Sequence, residues 1–145
     1  MRLAAERLPE HISVTFHGMM QNNAIMEWYQ RTPVDVFVHL ARLEGGVAVA
    51  IQEATSFGIP VIAADSGGVR ELVNDRTGIL IAQDPGPEQV AALLDGFRQS
   101  PMATGEFRAG VRRTWSEGFE ARATFHGFVD RILEEHVIGG TKEGR

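Results

Sequence analysis

Runs of apolar residues divide the first half of the chain into short strands. Apolar and polar positions alternate over Ile12–Phe16, which predicts a half-buried strand ending at His17-Gly18. Val34–Leu40 is rich in β-branched and aromatic residues, a pattern typical of a strand covered on both faces. Val61–Ala64 has the same buried pattern, and Gly78–Ala82 predicts a further short strand.

Helical patterns lie between these strands. Asn22 or Asn23 is expected to cap a short helix that stops before Pro33. Val47–Phe57 predicts a second helix, closed by Gly58 in the C′ position. Further helices are predicted over residues 2–8, 68–73, 87–99 and onward to about 137, where the stretch 119–137 has an apolar side made of Phe125, Phe128, Val129, Ile132 and Leu133.

Strands that alternate with helices indicate right-handed βαβ units. The predicted fold class is therefore α/β, a parallel sheet flanked by helices. We see no internal repeat and no linker, so residues 1–137 are expected to form one domain and residues 138–145 a disordered tail.

Composition narrows the class of protein. The chain has 145 residues, 43% of them hydrophobic and 23% charged, which is ordinary for a globular domain. It contains no cysteine, no apolar run near the roughly 20 residues of a membrane span and no recognisable signal peptide. A net charge of −5 argues against a nucleic-acid partner. We therefore expect a cytoplasmic protein with no membrane span.

Glycine turns follow three of the predicted strands, at His17-Gly18, Ala41–Gly46 and Asp65–Gly68. Ligands of a parallel sheet bind at the carboxyl ends of its strands, so these turns are expected to converge. A helix beginning near Gly46 would direct its free N–H groups at an anion and place Glu53 nearly two turns, about 10 Å, further along. Such a pocket suits an activated sugar.

Plainer explanations exist for each of these residues. Glu44 and its glycines also fit an ordinary helix entry, where an acid favours the helix dipole. Glu53 lies on a helix expected to be nearly buried, so an arginine partner competes with a ligand as its explanation. The glycine pair Gly67-Gly68, which precedes Glu71, has either a structural role or a ligand-binding role, and the sequence favours the two about equally. His39 is expected to be a hydrogen-bonded core residue rather than a base.

Taken together, these motifs resemble the donor-binding domain of GT-B-fold, retaining glycosyltransferases of the family-4 type. The resemblance rests on Glu-Gly-Gly, Glu-Ala, Gly-Ile-Pro-Val-Ile-Ala, Gly-Gly-Val-x-Glu-Leu-Val and Thr-Gly-Ile-Leu-Ile, and covers residues 1–137. It implies a Rossmann-like sheet, the C-terminal half of a GT-B fold, that binds a nucleotide-diphosphate sugar.

The resemblance also implies residue roles. Glu44 would contact the sugar hydroxyls and Glu53 the ribose. The remaining donor-binding positions are backbone N–H groups at Gly45, Gly46 and Val47, the turn of His17 and Gly18 near the base, and the turn of Gly67 and Gly68. The family's reaction uses neither a metal nor another cofactor, and stabilises an oxocarbenium-like sugar and a departing diphosphate.

Three departures from the family pattern are visible. Glu44 and Glu53 are separated by eight residues where the family has seven. The family's clamp on the diphosphate, an Arg and a Lys, is not found, because the one lysine of the chain, Lys142, stands in the tail. The resemblance further implies an N-terminal acceptor-binding domain, so we expect a truncated unit, inactive alone, which pairs with that domain, a partner chain or a second copy.

Two other functions remain open from the sequence. A non-catalytic subunit could keep the fold for assembly and present an exposed sheet edge to a partner. A nucleotide-sugar epimerase could use the same half-site with carboxylates from a second domain. The donor sugar, the base and the acceptor are not determined by the residues above.

Overall fold

The computed structural model describes residue 9 and residues 11–139 of the chain. The helix predicted over residues 2–8 and residues 140–145 of the predicted tail lie outside the described residues. Residues 138 and 139, expected in the tail, belong instead to the last helix, which ends at Gly139.

The described residues form one parallel three-stranded sheet with helices around it. The strand order is β1-β2-β3, in which Phe37 pairs with Val61 and Ala64 pairs with Ile81. The strands are β1 (Phe37–His39), β2 (Val61–Ala64) and β3 (Gly78–Ile81). The α/β fold class is therefore confirmed, in a Rossmann-like arrangement.

Five α-helices and two 3₁₀ helices make up the rest of the described architecture. The α-helices are α1 (Asn22–Arg31), α2 (Val49–Ser56), α3 (Pro87–Phe97), α4 (Gly105–Gly118) and α5 (Ala121–Gly139); the 3₁₀ helices are Gly67–Glu71 and Pro101–Ala103. The 3₁₀ helix Gly67–Glu71 replaces the predicted helix over 68–73, because Leu72 N–H bonds to Val69 three residues back.

The centre of the domain is β2, whose four residues are all buried. Two of them, Val61 and Ala63, belong to a core of buried apolar residues that also includes Ile51, Val69, Leu72 and Val73. Burying one such side chain stabilises the fold by about 1.5–3 kcal/mol. Gly78 lets β3 approach closely, since a Cβ there would lie 1.8 Å from the Val61 carbonyl oxygen.

The prediction of a strand over Ile12–Phe16 is wrong. These residues have no strand pairing in the described part of the chain, and Ile12, Val14 and Phe16 are each nearly half exposed. Alternating apolar residues specify a strand only when a neighbouring strand takes up the backbone hydrogen bonds, and no described strand does so here.

The second predicted strand is also shorter and more exposed than expected. Only Phe37–His39 of Val34–Leu40 pairs, and all three residues are half-buried rather than covered on both faces. The reason is position, because β1 is an outer strand whose one described neighbour is β2.

Two helix ends differ from the prediction. Gln21, not Asn22 or Asn23, is the N-cap of α1, and no side chain caps that helix. Helix α2 begins at Val49 rather than near Gly46. Its other end is as predicted, since Gly58 adopts φ +70° and donates its N–H to Thr55.

The last helix leaves its apolar side uncovered in the described structure. Phe125 and Phe128 are 63% and 54% exposed, and Ile132 and Leu133 are exposed as well. Among the described residues, no helix combines the length and the apolar character that crossing a membrane requires.

Candidate functional site

The two glycine turns at the carboxyl edge of the sheet lie in direct contact. Ser66 Oγ donates a 2.9 Å hydrogen bond to the Ala41 carbonyl, which ties the turn after β2 to the segment after β1. Gly67 adopts φ +53°, and a Cβ there would lie 1.8 Å from the backbone oxygen of Glu44. A Cβ on Gly68 would lie 2.9 Å from Gly46 Cα. The predicted convergence of these two turns is confirmed.

Glu44 is held at this edge by the last residue of β1. His39 Nε2 and Glu44 Oε1 are 2.8 Å apart, and their side chains are only 17% and 23% exposed. His39 is thus hydrogen-bonded and partly buried, as the sequence indicated. The contact uses one carboxylate oxygen of Glu44 and leaves the other as an acceptor for a ligand hydroxyl.

Helix α2 starts just beyond this carboxylate and directs its N-terminus toward the same edge. Its N-cap, Ala48, offers no side-chain oxygen, so the first N–H groups keep no side-chain partner. Gln52 Nε2 donates to the Val47 carbonyl at 3.0 Å and fixes the preceding turn. Nothing lies within 4 Å of a Cβ placed on Gly45 or Gly46, so open space faces both glycines.

The later start of α2 changes the distance between the start of the helix and Glu53. Glu53 is four residues from Val49, which corresponds to about one turn and roughly 6 Å along the axis. The expected interval of nearly two turns is therefore wrong. Helix α2 is also less buried than expected, because Val49 at its start is 68% exposed.

Glu53 is bound by a residue of α1. Asn22 Nδ2 donates a short hydrogen bond to Glu53 Oε1. Among the ion pairs of the described residues none involves Glu53, so the arginine partner considered from the sequence is not found there. Burial, and secondarily the charge of Glu53, raise the pKa of Tyr29 above its usual 10.0. Glu53 therefore lies close enough to α1 for its charge to act there.

A groove of about 400 Å³ runs along the side of α2 that carries Glu53. Its polar lining residues are Asn22, Gln52, Glu53, Ser56 and Glu120, and its apolar ones are Met26, Val49, Trp115, Phe119 and Ala121. The groove gives Glu53 an open approach from solvent.

The turn of His17 and Gly18 lies beside α1. His17 is exposed and meets the ring of Trp28 edge-on, with centroids 5.6 Å apart, and Gly18 adopts φ +69°. In the described part of the chain no hydrogen bond joins this turn to Glu44 or Gly67. The structure thus brings Glu44–Gly46 and Gly67-Gly68 together, while the described contact of His17 is with Trp28 of α1.

Two arginines at the carboxyl edge were not identified from the sequence. Arg42, shortly after β1, donates to Asp84 Oδ1 at 2.6 Å. Arg70 makes a two-fold contact with Asp65, from Nε at 3.1 Å and from Nη2 at 2.6 Å. Their position in the segments that follow β1 and β2 was the available signal. Both are exposed and already neutralised by a carboxylate, so each ion pair contributes little to stability.

The same edge offers no cluster of metal-binding side chains within residue 9 and residues 11–139. No group of three or more His, Cys, Asp or Glu residues is placed there to hold an ion. What the edge does offer is backbone N–H groups, carboxylates and open glycine turns, a set that recognises hydroxyl groups and anions.

The structure therefore defines a Rossmann-like α/β domain with glycine turns at its carboxyl edge, and comparison with known proteins shows its family. The chain belongs to the family described as glycosyl transferases group 1, whose model matches residues 1–114. Among its relatives, D-inositol 3-phosphate glycosyltransferase of Thermomonospora curvata is 32% identical over 131 residues, 90% of this chain.

Two mannosyltransferases are similar as well. The GDP-mannose-dependent alpha-mannosyltransferase of Mycolicibacterium smegmatis is 35% identical over 71% of this chain. The lipopolysaccharide core biosynthesis mannosyltransferase LpsB of Rhizobium meliloti is 34% identical over 71% of it. The chain spans only 28% to 30% of the length of these three relatives. The family is shown, and the match concerns one part of a longer enzyme.

Proposed function

We propose that this chain provides the donor-binding half of a family-4-type, GT-B-fold glycosyltransferase site. The observation that carries the proposal is the contact of the Gly67 turn with the Glu44 turn at the start of α2. Beside that contact the edge presents an uncapped helix N-terminus and a carboxylate held by His39. A nucleotide-diphosphate sugar needs both, one for its phosphates and the other for its hydroxyls.

Each residue then has a role in holding the donor. Glu44 accepts hydrogen bonds from sugar hydroxyls, and Glu53 accepts from the ribose. Backbone N–H groups near the start of α2 hold the sugar and the diphosphate, and the turn of His17 and Gly18 lies near the base. The backbone positions are Gly45, Gly46 and Val47 on one turn and Gly67 and Gly68 on the other.

The chemistry we assign to this site is electrostatic. The bond between the anomeric carbon and the diphosphate oxygen breaks, and the acceptor oxygen bonds to that carbon while its hydroxyl proton is released. Positive charge develops on the sugar and negative charge on the diphosphate, so helix N–H groups and Glu44 stabilise the transition state more than the ground state. We propose retention of configuration, without a metal, in the cytoplasm.

Acceptor binding requires further protein surface. The aligned part of this chain covers only 28% of the length of each of the first two relatives. We assign the acceptor to a second domain or partner chain that closes over the carboxyl edge, and we expect donor binding without sugar transfer from residues 1–145 alone.

Calorimetric titration with UDP, GDP, ADP and their sugars tests this proposal. We expect weak binding of at least one nucleotide, because the diphosphate meets N–H groups, and Arg42 and Arg70, the two arginines described at this edge, are already paired with carboxylates. Glu53→Ala should weaken that binding about tenfold, the value of a lost hydrogen bond to a charged group. Glu117→Ala, an exposed acid of α4, is the matched control and should bind as the unaltered chain does. Absence of heat with every nucleotide, in folded protein, would overturn the proposal.

A further inference from the structure

We infer that Asn22 is a positioning residue for Glu53 and sets the preference of the site for a nucleotide with ribose hydroxyls. The inference rests on the proposed role of Glu53. It adds a residue outside the glycine turns and a mechanism by which α1 acts on the donor site.

The geometry links two helices through one side-chain contact. Asn22 is the first residue of α1, and its Nδ2 donates to Glu53 Oε1, 31 residues further along the chain. The side chain of Asn22 does not cap its own helix, since α1 has Gln21 as N-cap and no side-chain capping bond. Its amide is therefore directed at α2 rather than at the backbone of α1.

This contact fixes a carboxylate that would otherwise rotate. A glutamate side chain loses considerable rotamer freedom when it binds a ligand, and an existing hydrogen bond has already removed part of that freedom. The bond occupies Oε1 and leaves Oε2 of Glu53, a residue that lines the open groove, as an acceptor. A fixed carboxylate oxygen is what a pair of neighbouring hydroxyls can recognise.

The chemical type of the partner matters as well. Asn22 is neutral, so it orients Glu53 without neutralising it. An arginine would supply several competing donors and hold both oxygens. Within the described residues the carboxylate has no ion-pair partner, so its charge remains available for hydroxyl groups of the ligand.

A purely structural role for Asn22 makes a different prediction. If the contact served only to attach α1 to α2, its loss would alter the packing and weaken the binding of every ligand of the site equally. A positioning role affects only ligands that carry the hydroxyls Glu53 contacts. The ratio of two affinities therefore separates the two explanations.

The test uses the nucleoside diphosphate that binds tightest and its dideoxy form, which lacks both ribose hydroxyls. The unaltered chain should prefer the ribose form. Asn22→Ala should reduce that preference about three- to tenfold and leave the dideoxy affinity unchanged. Asn22→Asp, which keeps the shape but places a second carboxylate beside Glu53, should reduce it at least as much. Asn23→Ala is the matched control, because Asn23 is the next residue of α1 and its side chain accepts a hydrogen bond from Ala24 N–H rather than bonding to Glu53.

Each outcome has a definite meaning. Equal losses of affinity for both nucleotides, or an unchanged ribose preference in both Asn22 variants, would overturn the positioning role. Neither result would contradict the proposed donor site. Binding without any ribose preference in the unaltered chain would overturn the positioning role as well. No nucleotide binding by the unaltered chain would refute the donor site itself and this inference with it. Circular dichroism of each variant verifies folding, and Asn22→Asp replaces Asn22→Ala if the latter fails to fold.

Discussion

Replacing Gly67 by alanine is the sharpest perturbation of the contact between the two turns. Gly67 adopts φ +53°, which costs a residue with a Cβ about 1–2 kcal/mol. Its added Cβ would also lie 1.8 Å from the oxygen and 2.6 Å from the carbon of the Glu44 carbonyl. That group is backbone and cannot turn aside, so the turn after β1 must retreat by roughly 1 Å, at a further cost of about 1–3 kcal/mol.

We therefore expect Gly67→Ala to lose about 2–5 kcal/mol of unfolding free energy. For a chain of this size that corresponds to a fall in Tm of roughly 6–15 °C, readily measured by circular dichroism. Nucleotide affinity should fall in parallel, because Glu44 moves with the displaced turn.

The matched control for this change is Gly110→Ala. Gly110 lies inside α4, its φ is not positive, and no atom outside the helix backbone lies within 4 Å of an added Cβ. Alanine there should raise stability by about 0.5–1 kcal/mol. A Gly67→Ala variant whose unfolding free energy lies within about 0.5 kcal/mol of that of the unaltered chain, and which binds nucleotide normally, would refute the contact between the two turns.

Two further predictions concern α1 and the core. Burial and then Glu53 raise the pKa of Tyr29 above 10.0, so its stabilising contribution is complete below pH 10 and is lost as the pH rises through the folded-state pKa. Glu53→Gln should lower this pKa, read from the phenolate absorbance of the chain's one tyrosine, and an unchanged titration would contradict it. Thr77→Val should cost about 1–3 kcal/mol in denaturant unfolding, because the buried Thr77 hydroxyl donates to Leu72 O at 2.5 Å and accepts from Asn74 N at 3.1 Å. A loss below about 0.5 kcal/mol would show that these bonds are not needed.

The sequence was informative where a local pattern sufficed. Val61–Ala64 was predicted with the bounds that the structure shows, because a short apolar run between Gly58-Ile-Pro60 and a glycine turn fits only a buried strand. Helix α3 was found from Pro87 in its first turn. The strand expected over Ile12–Phe16 failed because its formation depends on a neighbouring strand and not on its own residues.

In the candidate site, too, some features could be predicted from the sequence and others could not. Glycine turns after strands can be read from the sequence, and the topology of a parallel sheet brings Glu44 and Gly67 to one edge. The bond from Asn22 to Glu53 joins two helices that have no sequence pattern in common. It depends on how α1 lies against α2, which only the three-dimensional structure shows. The start of α2 was misjudged because the backbone still bends over residues 45–47 and Ala48 offers no capping side chain.

The most direct test of the donor site is a map of backbone amide shifts by nuclear magnetic resonance during titration with a nucleoside diphosphate. We predict that the largest shifts fall on residues 45–49 and on Gly67 and Gly68, with smaller ones near Glu53. Shifts that are absent throughout, or confined to the groove of about 390 Å³ lined by residues 29–34 and Arg108 at the opposite end of the sheet, would contradict the account.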